Sequence, residues 1–482
     1  MAAYDTVIRN GQVADGTGKQ LFAADVALKG DRIAAIEPPG ALRGDNEIDA
    51  AGRVVAPGFI DVHTHDDTYI IDHPDMAMKA SQGVTTVVCG NCGISASPYS
   101  RRDDIPHLIY LAVKKKANLA DTFAEFASKV DAARPAINGA FLIGHSTLRF
   151  DAMNLDVGRP ASKSETAAMR DKLDLALEQG AIGLSSGLFY PPAAAATTDE
   201  VAEVAKPLGK WDGVYTAHMR DESEDILKSM DETFEIGRRA GARIVVSHHK
   251  CAGRANFGRM KQTLPKFSEA MKQQEIAFDV YPYVAGSTIL RKDMLARADK
   301  VLISWSDSVK GVSGRDLRDI ARELGCSTLE EACDRLQPAG AIYFMMDEKD
   351  VQSAMSHPGA MIGSDGIPFD THPHPRLWGT FPRVLGHYSR DLKLFALEDA
   401  VRRMTSYSAQ RFRLAARGEI KKGYYADICI FDPATVIDAA TFEAPMLPAK
   451  GIDTVICNGA IAWRNGKPGG GRGGRVLRRG EA

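Results

Sequence analysis

Two histidines one residue apart, His63 and His65, close the apolar run in PGFIDVHTHDD, residues 57 to 67. Successive side chains on a β-strand face opposite ways, so this pair shares a face with Asp61. Two imidazoles at a strand end can hold one divalent ion. An isolated pair is as readily two surface histidines beside Asp66 and Asp67, so its company decides. Cys92 in VVCGNCGIS, His218 in VYTAHMRDE, His248 in RIVVSHHK and Asp365 in MIGSDG each follow a strand-like run. Imidazole, thiolate and carboxylate are the donors zinc takes. Singly, each has an ordinary structural reading: a lone cysteine packs in a core, and Asp-Gly makes a turn. All of them at the ends of strand-like runs indicate one metal-binding cluster.

Neighbouring residues narrow the choice. Cys89 and Cys92 form a CxxC, but no second CxxC and no thioredoxin-like order of elements accompanies it. Cys92, after Gly90-Asn91, is therefore the ligand candidate, and Cys89 is strand packing. His248 and His249 are adjacent, so one of them faces the site, and choosing His248 also turns Lys250 inward. His145 in LIGHST has no assigned partner and reads as a supporting or structural histidine.

The elements that must position these residues follow a rhythm. FIDVHTH, GVTTVVCG, INGAFLIGHS, AIGLSSGL, GVYTAHM, ARIVVSHH, IAFDVYPY and GAMIGSD are eight strand candidates, mostly with helix-patterned stretches between them. That alternation is an α/β chain of the (β/α)8 TIM-like barrel type, whose strands deliver polar side chains to one end. An open doubly wound sheet is the competitor, but no GxGxxG or phosphate loop accompanies these strands. In SEDILKSMDETFEIGRRA, Ser223 is the expected N-cap and Gly241 the terminator.

Residues 1–56 and 415–482 are β-textured and flank a barrel expected over 57–414. Two such ends imply a small β-sandwich domain built from both chain ends. Residues from about 287 to 345 interrupt the alternation and read as an insertion on a βα loop over the catalytic face, covering and selecting substrate. A peripheral subdomain is the other reading. The tail PGGGRGGRVLRRGEA is a surface strap or a disordered end rather than an RNA-binding element.

Bulk properties exclude several classes. The 482 residues are 44% hydrophobic and 25% charged with formal net charge −2, without the basic excess a nucleic-acid partner demands. No apolar window is long enough to cross a bilayer and no signal peptide opens the chain, which points to a cytoplasmic protein without a membrane partner. Seven scattered cysteines make no disulfide framework.

The set PGFIDVHTHDD, GVTTVVCGNCGIS, AHMRDE, SHHK, YPYVAGST, IGSDG and PHPRLWGTFPRVLG resembles the D-aminoacylases, the N-acyl-D-amino-acid deacylases of the amidohydrolase superfamily. The likeness runs nearly end to end and includes GYYADICIFDP. HxH marks only the superfamily, whereas GNCG with SHHK and PHPRLWGTFPR is more specific. The resemblance implies a tight Zn2+ site made by Cys92, His218 and His248, with cysteine replacing the carboxylated lysine that bridges two metals elsewhere in the superfamily. It implies a second, weaker metal position at His63 and His65, and Asp365 as catalytic acid/base. The substrate it implies is a small N-acyl-D-amino acid, cut to a carboxylate and a free D-amino acid. Lys250, Arg376, Tyr281 and Ser287 match the positions that anchor its α-carboxylate.

Side-chain preference is expected from the segment entering the insertion. An arginine facing the pocket, Arg291 or Arg297, would favour an acidic side chain such as D-glutamate. Ile289, Leu290, Met294 and Leu295 could instead build an apolar pocket, but Ala296 stands where bulk is wanted, so an acidic side chain is the leading expectation. Two other functions compete. A cyclic-amide hydrolase of the hydantoinase or dihydropyrimidinase kind would use the lysine bridge, where this chain has Cys92. A catalytically inactive amidohydrolase-like scaffold would have lost ligands that are all present here.

Overall fold

The structure is a computed structural model that describes residues 4–101 and 105–481, so the opening Met-Ala-Ala and the final alanine lie outside it. Eight parallel strands lie side by side in chain order: Phe59–Asp61, Val84–Cys89, Asn138–Gly144, Gly183–Gly187, Val214–His218, Arg243–Val246, Ile276–Val280 and Ala360–Ile362. They fall in the eight apolar runs expected to be strands. The sheet closes on itself just past the ends of the first and last strands. There Asp365 N donates to the His63 carbonyl at 2.8 Å and His65 N to the Gly366 carbonyl at 3.2 Å. The seam of the barrel thus runs through the HxH motif and Asp365. Ile60, Val88, Leu142, Val214, Val245 and Met361, each from a different strand, meet in one buried cluster with Tyr407, Phe412 and Leu414. Burying each large aliphatic of this kind is worth about 1.5–3 kcal/mol.

The helices follow their local signals. Lys163–Glu178 begins at a capping box between Ser162 and Glu165, and buries Thr166, Met169, Leu173, Ala176 and Leu177 on one face. The helix after barrel strand five differs from expectation at its start. It spans Ile226–Ala240 with Asp225 at the N-cap, because the Ser223 hydroxyl donates to the Asp221 carboxylate at 2.9 Å instead of capping. It ends where expected, at Gly241 with φ +63.

Both chain ends share one nine-stranded sheet. Tyr4–Val13 pairs with Phe22–Lys29, Gly44–Asp49 and Val54–Pro57, and Val54–Pro57 pairs in turn with Ile428–Phe431 from the far end. Ile8, Val26, Ile33, Val55, Ile428 and Ile456 fill its core. The Gly/Arg tail is a strap: Val476 is 1% exposed and bridges Gly139 at the start of barrel strand three. Glycine is required there, since a Cβ on Gly474 would sit 2.1 Å from the Ile137 carbonyl oxygen.

Between barrel strands seven and eight, Ala285–Ile289, Lys300–Ser306 and Ala339–Phe344 form a three-stranded antiparallel sheet carrying helices Leu317–Glu323 and Leu329–Leu336. It has its own core of Leu295, Ile303, Leu317, Ile320 and Leu336. Tyr281 and Tyr283, at the end of barrel strand seven, pack into that core and hold the unit over the mouth of the barrel.

Candidate metal centre and substrate cavity

Each candidate ligand sits at or just past a barrel strand end. Strand two stops at Cys89, and the chain turns at Gly90, φ +78, where a Cβ would meet the Leu142 carbonyl oxygen at 2.1 Å. Only glycine fits, and the turn presents Cys92 at φ +54. His248 at φ +35 and Asp365 at φ +49 also hold the left-handed backbone that side chains disfavour. Each such residue costs on the order of 1–3 kcal/mol, an expense typically met at functional positions. The surroundings hold them there: His248 N donates to Asp279 Oδ1 at 2.9 Å, and Asp365 N is held by the barrel seam.

Two groups of donor atoms result, one of His63, His65, Cys92 and Asp365, the other of Cys92, His218 and His248. Cys92 belongs to both. Its Sγ is 3.3 Å from His63 Nε2 and 3.5 Å from His248 Nε2. His63 Nε2 and His65 Nε2 lie 3.4 and 3.2 Å from Asp365 Oδ1. The far nitrogens of two of these histidines face carboxylates, His63 Nδ1 at 3.3 Å from Asp279 Oδ2 and His248 Nδ1 at 3.0 Å from Glu222 Oε1. An N–H on each would donate outward and leave Nε2 for a metal. Cys89 packs in the barrel wall beside Thr64, and His249 turns away to Thr263 and Phe267. His145 lies outside both groups, 3.5 Å from Glu200.

The donor chemistry fits a divalent metal. Both ring nitrogens of His218 and Nδ1 of His65 are buried without a hydrogen bond. A buried polar atom left unpaired costs about 1–3 kcal/mol, so these nitrogens want a partner that the protein does not supply. The local field favours the ligand form at Cys92, Asp365 and His218. At His63, His65 and His248 burial pushes the imidazole down, but neighbouring anions outweigh it and raise these three toward imidazolium, His65 to about 9. Burial pushes the Cys92 thiol up, but His63 and His248 outweigh it and hold it well below the ordinary thiol range. Burial likewise raises the Asp365 carboxyl, and Arg376, His63 and His248 overcome it, keeping Asp365 an anion. Burial dominates at His218 and pushes its imidazole down toward the neutral form a metal requires.

Beside the second group opens a cavity of about 540 Å³, open solvent at its mouth included. His218, His248 and Asp365 form its floor, Lys250, Tyr281 and Ser287 one side, and Phe189, Tyr190, Met294, Tyr343 and Met345 the apolar remainder. Arg376 is fully buried beneath, its Nη2 on Asp365 Oδ2 at 2.9 Å and its guanidinium 4.5 Å from the Tyr281 ring centre. Its Nε and Nη1 have no hydrogen-bond partner. Arg297 lines the cavity, 3.6 Å from Glu224. Arg291 does not line it: the guanidinium forks onto Asp293, at 2.9 and 2.7 Å, and stacks on Phe189. Ala296 is exposed, while Met294 takes the place on the wall.

Four residues that matter here escaped sequence reasoning. Glu222 follows His218 by four positions in AHMRDE and lines the cavity. Asp279 supports His63 and His248 from barrel strand seven. Tyr190 Oη meets Thr288 Oγ1 at 3.0 Å across the cavity, its ring against His218. Lys79 is fully buried and donates to Asp61 Oδ2 and Ser364 Oγ, both at 2.8 Å, so Asp61 supports the seam rather than joining the ligands. The spacing of Glu222 from His218 was the one visible signal among them.

Comparison with known proteins gives the family. The pattern of the amidohydrolase family matches residues 46–462. A D-aminoacylase of Alcaligenes xylosoxydans xylosoxydans is 49% identical over 476 residues, covering 99% of this chain and 98% of its own. A solved D-aminoacylase, described for its binuclear metal centre with one-metal activation and second-metal attenuation, superposes with TM-score 0.96 at 50% identity, covering 99% of this chain and all of its own. An N-acyl-D-glutamate deacylase of Bordetella bronchiseptica, solved with zinc and a phosphonate mimic of the tetrahedral intermediate, superposes with TM-score 0.95 at 43% identity, over 98% of this chain and 99% of its own. The chain belongs to the amidohydrolase family, on the branch of the D-aminoacylases. No helix among the described residues is long and apolar enough to cross a membrane.

Proposed function

We propose that this chain is a zinc-dependent N-acyl-D-amino-acid deacylase. The observation that carries the reading is Cys92 shared between the two donor groups, with Asp365 facing the same cavity. Cys92, His218 and His248 would hold the tighter zinc, and His63 and His65, with Cys92, a weaker second position. Zinc there supplies a Lewis-acid charge for the amide carbonyl and acidity for a water molecule. The rest is the work of the chain's own side chains. Asp365, kept anionic beside Arg376, accepts the proton of the attacking water and passes it to the departing amide nitrogen. The unpaired Nε and Nη1 of Arg376, with Lys250, Tyr281 and Ser287, provide cationic and hydroxyl donors for the α-carboxylate. The D configuration rests on the relatives.

For the substrate side chain we favour an apolar group, because Phe189, Met294, Tyr343 and Met345 dominate the wall and Arg291 is already paired. One observation favours an acidic side chain: Arg297 lines the cavity and its pairing with Glu224 is loose. The test is a screen of zinc-loaded protein on N-acetyl-D- and N-acetyl-L-amino acids, with a hydantoin alongside. The reading expects turnover of D substrates only, with D-methionine and D-leucine derivatives ahead of D-glutamate. Hydantoin turnover with no D-aminoacylase activity would overturn it, and zinc-free, inert protein would favour the scaffold reading.

A further inference from the structure

Glu222 is a buried carboxylate in the loop after barrel strand five, 9% exposed, and it reaches two parts of the site at once. Oε1 lies 3.0 Å from His248 Nδ1 and 2.8 Å from Lys250 Nζ, and Oε2 lies 2.7 Å from Lys250 Nζ. Its backbone carbonyl accepts from Ala252 N at 2.7 Å, so the loop after strand five is pinned to the loop after strand six. His218 Nε2, at 3.7 Å, is beyond hydrogen-bond range.

Hydrogen-bond logic sorts these contacts. His248 Nδ1 has two polar neighbours, Glu222 Oε1 and Lys250 Nζ, the latter at 2.8 Å. If Nε2 serves a metal, the neutral imidazole carries its hydrogen on Nδ1. A lysine ammonium has no lone pair to accept that hydrogen, so the acceptor must be Glu222. Lys250 then donates to Glu222 and to the His248 carbonyl, 2.9 Å away. One carboxylate therefore sets the tautomer of a metal ligand through Oε1 and the position of a cavity-wall cation through both of its oxygens.

We propose that Glu222 is a positioning residue that couples metal binding to recognition of the substrate α-carboxylate. The proposal rests on the deacylase reading above. It gives this chain a physical link between holding zinc and holding substrate, because the side chain that orients His248 is the one that aims Lys250.

Two substitutions separate the roles. Glu222→Ala removes both acceptors. Glu222→Gln keeps one carbonyl oxygen, enough to accept from His248 Nδ1, but loses the negative charge and the second acceptor that hold Lys250. Zinc affinity is read by competition with a chelator, without reference to turnover. Anchoring is read as the KM of an N-acetyl-D-amino acid divided into that of its α-amide, which lacks the carboxylate. In Glu222→Ala zinc affinity falls about 10- to 100-fold, the usual size for losing a ligand's outer partner, and the KM advantage of the acid over the amide shrinks. Glu222→Gln keeps zinc affinity near the parent value and loses mainly the acid-to-amide advantage, and so carries the test if the alanine variant fails to fold. Parent zinc affinity together with the parent acid-to-amide ratio in Glu222→Gln overturns the proposal. So does loss of the same single property in both variants, which would make Glu222 a partner of one group alone. A parent protein that binds no zinc or cleaves no N-acyl-D-amino acid defeats the deacylase reading itself, a separate outcome.

Discussion

The floor of the cavity and its outer wall are built by different means. The floor belongs to the barrel: His218, His248 and Asp365 line it and share donor groups with His63, His65 and Cys92. All six are buried at or just past strand ends, and backbone bonds across the seam join the first strand to the last. The wall formed by Ser287, Thr288, Met294, Arg297, Tyr343 and Met345 belongs to the inserted three-stranded unit, which has its own core. A barrel strand fixes the position of what stands at its end, so the chemistry is held to the frame of the fold. The insertion packs against the rest of the chain through Tyr281, Tyr283 and ring contacts such as Phe344 with Phe442, so side-chain selection can change without disturbing the chemistry.

Breaking the floor is therefore expected to cost most. Cys92→Ala removes the one ligand common to both donor groups and is expected to abolish tight zinc binding and nearly all turnover, measured by metal analysis and by kcat/KM on an N-acetyl-D-amino acid. Cys89→Ala, in the barrel wall, is expected to be mild; the reverse result would exchange the two assignments. Asp365→Asn should retain zinc through Cys92, His218 and His248 while losing proton transfer, with kcat down by roughly 10² or more. An active Asp365→Asn protein with an unaltered pH profile would remove Asp365 from its role.

At the boundary between floor and wall the effects should separate by chemistry. Lys250→Met is expected to weaken substrates that carry an α-carboxylate by about 2–5 kcal/mol in kcat/KM and to spare an N-acyl amine that lacks one. Arg376→Met should do more than that. Its guanidinium also contacts Asp365, so the carboxylate-free substrate should lose kcat as well. Equal penalties for both variants on both substrates would mean that neither cation reads the carboxylate.

The smallest effects belong to the wall. Arg297→Met should lower kcat/KM for N-acetyl-D-glutamate relative to N-acetyl-D-methionine. Arg291→Met, whose partner is Asp293, should leave that ratio near the parent value. A shift in the ratio from Arg291 but not Arg297 would redraw the wall.

The same contrast explains what could be read from the chain alone. The gathering of His63 and His65 was legible from their spacing after an apolar run, although the strand itself stops at Asp61, and that of Cys92 because a Gly-Asn turn after an apolar run lifts it clear of Cys89. The eight strands were legible because each apolar run is bounded by a helix-patterned or turn-rich stretch. Ser223 misled because a free carboxylate at Asp221 competes for its hydroxyl, and that competition depends on the loop's path. Glu222, Asp279 and Lys79 carry charges that look like solvated surface in sequence. Their burial is created by partners distant in the chain, as when Lys79 meets Ser364. Whether an arginine entering the insertion faces the cavity depended on where Asp293 and Phe189 lie, which no spacing encodes.

The central claim is that one sulfur, from Cys92, holds the catalytic zinc. X-ray absorption at the zinc edge of protein loaded with one equivalent of metal tests it most directly. The expected result is a sulfur scatterer at about 2.3 Å together with imidazole nitrogens at about 2.0–2.1 Å, with the sulfur lost in Cys92→Ala. A zinc shell of nitrogen and oxygen alone in the parent protein, or a sulfur that persists in Cys92→Ala, would contradict it.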